Sequence, residues 1–139
     1  MLTGDVKVVI YVSDVLESVR YYSGVLGFDL LHYFDRSTGE SVDEWTKSEP
    51  PIYAEMSAGG RKFGLHMPVN EADRRSVGAT KVYFRVRDLA GCRGQIERDG
   101  GSPGEAIERP WMDMFEVTDP DGNRIVFATS GDGSWIVES

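Results

Sequence analysis

RPWMDMFEVTDPDGNRIVF, residues 109–127, decides the fold. Apolar and polar residues alternate up to Asp119, the pattern breaks at Asp119-Pro120-Asp121-Gly122, and an apolar run resumes at NRIVFAT. Asp-Pro and Asp-Gly are turn chemistry, so the stretch predicts two antiparallel strands closing over 119–122. A turn of that length pairs Phe115 with Val126 and Asp113 with Ala128.

Working back from this hairpin, GEAIE (104–108) reads as a further strand. Residues 89–98 form a helix with Leu89, Cys92 and Ile96 on one apolar face, and KVYFRVRD (81–88) is a strand. The same order stands earlier in the chain. VKVVIYV (6–12) is a strand, and Asp14 with Glu17 three residues on opens a helix as a capping box does. Val15, Val19, Tyr22 and Leu26 give that helix one apolar face, and Gly27 stops it. FDLLHYFD (28–35) is a strand, residues 36–51 a polar loop holding Trp45, and Gly59-Gly60 the turn of a second hairpin. At an offset of 74, KVVIYVSD (7–14) overlies KVYFRVRD (81–88), Asp14 meets Asp88 and Gly27 meets Gly101. Each half is thus β-α-β-β-β. The expected fold class is α+β: two tandem modules, about 5–68 and about 80–130, joined by a polar linker (69–79), with a tail at 131–139. They form a curved mixed sheet with a cleft, and one domain is expected at this length.

The chain carries 15 Lys and Arg against 23 Asp and Glu, a net charge of -8 with pI near 4.7. No basic stripe for nucleic acid is present. The acidic surface serves solubility or draws in a cationic ligand. No apolar run reaches the ~20 residues of a membrane span and no basic, apolar leader opens the chain, so a cytoplasmic location is expected. One cysteine, Cys92, excludes an internal disulfide and a cysteine-rich zinc site, and reads as an apolar filler on its helix.

VSDVLESVRYYSGVLGFDL (12–30), AEMSAGGRKFGLHM (54–67) and PWMDMFEVTDPDGNRIVF (110–127) together resemble the vicinal oxygen chelate superfamily, the glyoxalase, bleomycin-resistance and extradiol dioxygenase group. The resemblance implies metal-ligand positions in the first and last strand of each half. Five residues before the Val of V-x-D stand Lys7 and Lys81, and four past each hairpin glycine stand Gly64 and Val126. A protonated ammonium does not ligate, and glycine and valine have no donor atom. The usual metal site is therefore expected to be lost, with no cofactor required.

If those positions face the cleft, so do their neighbours two residues away. Lys7, Val9 and Tyr11 then line it beside Lys81, Tyr83 and Arg85. The Gly59-Gly60 turn adds Glu55 opposite Gly64 and Tyr53 opposite His66, and the last hairpin adds Asp113 and Phe115. Glu55 is placed to pair with Lys7 or Lys81. His66, with Glu55 one strand away, is either a proton-transfer pair or a structural donor. His32 cannot be assigned a face. Trp45 and Trp111 are candidate aromatic anchors at the cleft mouth, while Trp135 is expected to dock on a partner or on the domain surface.

Two functions follow from the resemblance. One is a metal-independent protein that sequesters an aromatic or cationic small molecule such as an antibiotic, as a homodimer whose clefts lie between modules of different chains. The other is a glyoxalase-type lyase or isomerase with a rearranged site, using Glu55 and His66.

Overall fold

The computed structural model describes residues 1–129 of the chain. β1 (Val9–Tyr11) leads into α1 (Val15–Val19), which opens where the Asp14 carboxylate accepts a hydrogen bond from the Glu17 N–H at 3.1 Å. That bond satisfies one of the donors a helix start leaves orphaned. The helix continues as a π-helical segment (Arg20–Val25), whose wider repeat shows in the bond from the Leu26 N–H to the Tyr21 carbonyl, 3.0 Å. Val15, Val19, Tyr22 and Leu26 are all buried, as their spacing predicts. Then come β2 (Asp29–Asp35), β3 (Glu40–Val42), β4 (Tyr53–Ala58) and β5 (Arg61–His66). The second half runs α2 (Glu71–Ser76), β6 (Lys81–Arg85), α3 (Leu89–Arg98), β7 (Ile107–Glu108), β8 (Asp113–Thr118) and β9 (Arg124–Thr129). Asp88 caps α3 through the Gly91 N–H at 2.9 Å, repeating the role of Asp14. Cys92 sits half-buried on α3, its thiol pushed up by burial and by Asp88. No helix among the described residues is long and apolar enough to cross a membrane.

Two elements lie where only loop or linker was expected. β3 folds back on β2 with Val42 opposite Tyr33, and α2 occupies part of residues 69–79. The Asn70 side chain caps α2 by accepting from the Asp73 N–H at 2.8 Å, yet no residue of the helix is buried. A helix without a buried stripe has no apolar period to betray it.

The strands form two mixed sheets, ordered β1-β5-β4-β2-β3 and β6-β9-β8-β7. In each, the first strand of the module runs parallel to its last, and the other pairings are antiparallel. Gly59 and Gly60 take φ of 57° and 85°, the positive pair that a tight two-residue hairpin turn demands. Glu55 accordingly faces Gly64 and Tyr53 faces His66, as predicted. The last hairpin differs. Asn123 is drawn into the turn: the Asp119 N–H donates to its carbonyl at 2.9 Å, and its side-chain amide donates to the Asp119 carboxylate at 2.9 Å. The strands therefore resume at Thr118 opposite Arg124, so Phe115 faces Phe127, Glu116 faces Val126 and Asp113 faces Thr129. The shift of one residue turns β8 over relative to the expected register.

The helix-facing sides of both sheets share one core, including Ile10, Leu65, Ile96, Ile125 and Phe127. Phe28, Phe63, Phe84 and Phe127 meet there with centroids 4.8 to 6.1 Å apart, joining the two halves. The Asp-Pro-Asp-Gly-Asn turn adds a polar clasp beside this core. The Tyr22 hydroxyl donates to Asp119 at 2.8 Å, and Asp121 accepts from the Ser13 N–H and hydroxyl at 3.0 and 2.6 Å. Asn123 accepts from the Thr80 N–H at 3.0 Å and donates to the Tyr11 carbonyl at 3.3 Å. Asp119 and Asn123 are buried, and their partners supply the bonds such burial requires.

Candidate ligand-binding site

The face of the first sheet turned away from the core holds a cavity of about 480 Å³. β1 and the chain before it supply Val9 and Lys7, β5 supplies His66, and β4 supplies Tyr53 and Glu55. His32 and Phe34 come from β2, and Arg36 and Ile52 complete the wall. His32 reaches this face because β2 carries a bulge between Leu30 and His32, which sets His32 opposite Glu55. Alternation read along β2 has no means of placing that extra residue.

Tyr53 and Glu55 are only 8% exposed each. Both stand on β4, which is flanked by β5 and β2, so the sheet shields them on either side. The Tyr53 ring lies over Gly64. A Cβ at position 64 would come 2.7 Å from Cζ of that ring and closer still to Cε1 and the hydroxyl oxygen. The Tyr53 hydroxyl donates to Glu55, whose Oε2 also stands 3.4 Å from Lys7 Nζ, and the same ammonium lies 4.4 Å above the centre of the Tyr53 ring. Burial, then the Glu55 hydrogen bond and charge, push the Tyr53 phenol well above its ordinary pKa.

His66 stands between two tyrosines, 5.5 Å from the Tyr11 ring and 5.6 Å from the Tyr53 ring. Its Nδ1 lies 2.5 Å from the Met67 carbonyl, which accepts and so fixes the proton on Nδ1. Nε2 is left as the acceptor of the neutral ring. His66 and Glu55 thus have separate partners rather than each other. The Tyr11 phenol is raised by burial and then by Asp73 of α2, which lies beside β1.

The other candidates fall elsewhere. Tyr83 and Arg85 stand on β6, lining a separate cavity of about 620 Å³ with Val8, Arg61 and Phe63. Lys81 lies 5.1 Å over the Tyr83 ring and makes no ion pair with Glu55. Trp111, Tyr83 and Met114 pack on a small buried cluster of Met112, Val126 and Ala128. Phe115 is excluded from the cleft: it is 1% exposed and stacks on Phe127 in the core at 5.2 Å. Asp113, on the same side of β8, lines a surface hollow with Leu89, Ala90 and Arg93. The turn at Asn123 is the reason for both corrections. Glu116, overlooked for the same reason, faces Val126 and holds Arg124 through two bonds of 3.0 and 2.9 Å. Trp45 packs 6.1 Å from Tyr33, donates its indole N–H to the Glu49 carbonyl at 2.7 Å, and lines an adjoining cavity of about 390 Å³. Trp135 lies outside the described residues.

The positions at which the family resemblance places metal ligands do not fit a divalent cation. Lys7 is an ammonium already engaged with Glu55, and the volume beside Gly64 holds the Tyr53 ring. Val126 is fully buried under apolar neighbours. Among the described residues no group of three or more His, Cys, Asp or Glu is placed to hold a metal ion.

Residues 6–127 match the family model of the Glyoxalase/Bleomycin resistance protein/Dioxygenase superfamily. No curated protein matches the sequence. Among solved structures, the fold is similar to that of a virulence protein from Salmonella typhimurium, 21% identical, TM-score 0.67, covering 94% of this chain and 99% of that one. It is also similar to TnmS3, an antibiotic binding protein from Streptomyces sp. CB03234, 16% identical, TM-score 0.67, covering 94% and 100%. A putative glyoxalase family protein from Bacillus anthracis is likewise 16% identical, with TM-score 0.67 and coverage of 94% and 97%. The match over nearly the whole chain, on a fold of two repeated β-α-β-β-β modules with β3 added to the first, makes this chain a member of the Glyoxalase/Bleomycin resistance protein/Dioxygenase superfamily.

Proposed function

We propose that the chain is a metal-independent small-molecule-binding protein that holds an aromatic compound, such as an antibiotic, in the cavity beside Tyr53 and His66. The observation that carries this is the Tyr53 ring lying over Gly64. An aromatic surface stands where the family's metal enzymes need a ligand, and Glu55 beside it is neutralised by Lys7 and the Tyr53 hydroxyl. A cavity of about 480 Å³, walled by rings with a few oriented polar groups, suits a drug-sized organic molecule. TnmS3, similar in fold, is an antibiotic binding protein, which supports the same class of role.

The working unit is a homodimer. In this chain the Lys7 face and the Lys81 face belong to different sheets that share the core behind them. β1 and β6 each end their sheet, leaving an edge for a second copy. A cleft closed by the Trp111 face of another chain would cover the open side of the cavity.

The test is titration of chelator-treated protein with a panel of aromatic antibiotics, followed by fluorescence and calorimetry, with recovery of the compound afterwards. Saturable binding that survives chelation, weakens in Tyr53→Ala and returns the compound unchanged supports the reading. Conversion of the compound, or binding restored only by added metal, would replace it with the lyase or isomerase reading.

A further inference from the structure

We infer that the compound taken by this cavity is an aromatic anion, a planar ring system carrying a carboxylate or similar group, held at the end of the wall where Arg36 follows β2. The inference rests on the binding role proposed above and adds the charge of the ligand. The chain as a whole is acidic, with a net charge of -8, and by long-range attraction alone it would favour cations. The cavity wall has the opposite balance. Lys7 and Arg36 contribute one ammonium and one guanidinium charge against the single carboxylate of Glu55.

The partners sharpen this balance. Glu55 is occupied twice within the protein, by the Tyr53 hydroxyl and by Lys7 at 3.4 Å. A cationic ligand would have to compete with Lys7 for it, and would leave that ammonium without its partner. Arg36 has no ion pair or hydrogen bond among the described residues, and it borders both this cavity and the adjoining one of about 390 Å³. A guanidinium at that junction presents a planar fork matched to a carboxylate. The acids nearby place the anion rather than forbid it. Asp35 is held by Lys47 at 2.6 Å and by the Ser37 hydroxyl at 2.7 Å, while Glu49 borders only the adjoining cavity. The anionic group therefore sits on the His32 side of Arg36, and its ring lies against Phe34, Tyr53 and His66.

Three probes of one shape separate charge from stacking: 1-naphthoate, 1-naphthylmethylammonium and neutral 1-naphthol, titrated calorimetrically into the full chain at low salt. Naphthoate is expected to bind about tenfold or more tighter than the ammonium probe. Arg36→Gln, at an exposed position where the unfolding midpoint should hardly move, should bring the ratio of naphthoate to ammonium-probe affinity to about one. Equal or tighter binding of the ammonium probe overturns the inference, as does a naphthoate preference that survives Arg36→Gln. Failure of all three probes to bind overturns the aromatic-binding role itself, a result distinct from binding without charge preference.

Discussion

The ring of Tyr53 fills the space that any side chain on Gly64 would need, its Cζ only 2.7 Å from the position of a Cβ there. Gly64→Ala should consequently destabilise the protein by about 1–3 kcal/mol in urea unfolding, the usual range for overfilling a packed site. In a Tyr53→Ala background the same substitution should be close to neutral. A double-mutant cycle reads the difference, and equal effects in both backgrounds would show that the ring does not occupy this space.

The hydroxyl of Tyr53 should matter separately from its ring. Tyr53→Phe keeps the ring over Gly64 but leaves Glu55 with Lys7 alone, removing a charge-assisted bond of about 1.5–3 kcal/mol. The phenol's folded pKa lies above its ordinary value of 10.0, so the folded state holds this proton more tightly than the unfolded chain does. Its contribution is complete below pH 10 and falls away as pH rises beyond that value. Wild type should thus lose stability more steeply than Tyr53→Phe above pH 10, measured by denaturant midpoints against pH. Parallel curves would remove Tyr53 from the account.

Tyr22 and Asp119 tie α1 and its continuation to the last hairpin across the module junction, at 2.8 Å in a buried setting. Tyr22→Phe should lower stability by about 1.5–3 kcal/mol and speed amide exchange around Thr80 and Asn123. The neighbouring Tyr21 phenol, pushed up to about 12 by burial and then by the Asp119 charge, should fall toward its ordinary value in Asp119→Asn. An absorbance titration that leaves it unmoved would mean Asp119 does not act on Tyr21.

Asp35 anchors the loop that carries Trp45. Hydrogen bonds from Lys47 and Ser37 hold its carboxyl down at about 2, against an ordinary 3.8. A lowered folded pKa contributes stability that is present above about 3.8 and lost as pH falls through about 2. Trp45 fluorescence should therefore change across that acid window, and Lys47→Met should move the change to higher pH. No movement would separate the loop from this ion pair.

What the sequence revealed was whatever depended on local chemistry. Asp14 and Asp88 cap helices because a carboxylate three residues before a free N–H can do little else there, and Gly59-Gly60 makes its two-residue turn because both positions need positive φ. The last hairpin misled because its length depends on a side chain: Asn123 bonds back to Asp119 and takes one residue out of the strand. His32 was hidden by a bulge, which alternation does not encode. The division of the candidates between two faces is tertiary, arising from how both sheets share one aromatic core. Tyr53, Glu55 and His66 were legible together because their hairpin follows the simplest turn rule.

The central claim is that this site works with its own side chains and no metal. Its most direct test is elemental analysis of protein purified without chelator or metal-affinity resin, set against protein concentration. The account predicts zinc, nickel, iron and manganese far below one per chain, with ligand binding unaffected by chelation. A near-stoichiometric metal, lost together with binding on chelation, would contradict it and make His66 and Glu55 the first residues to examine as ligands.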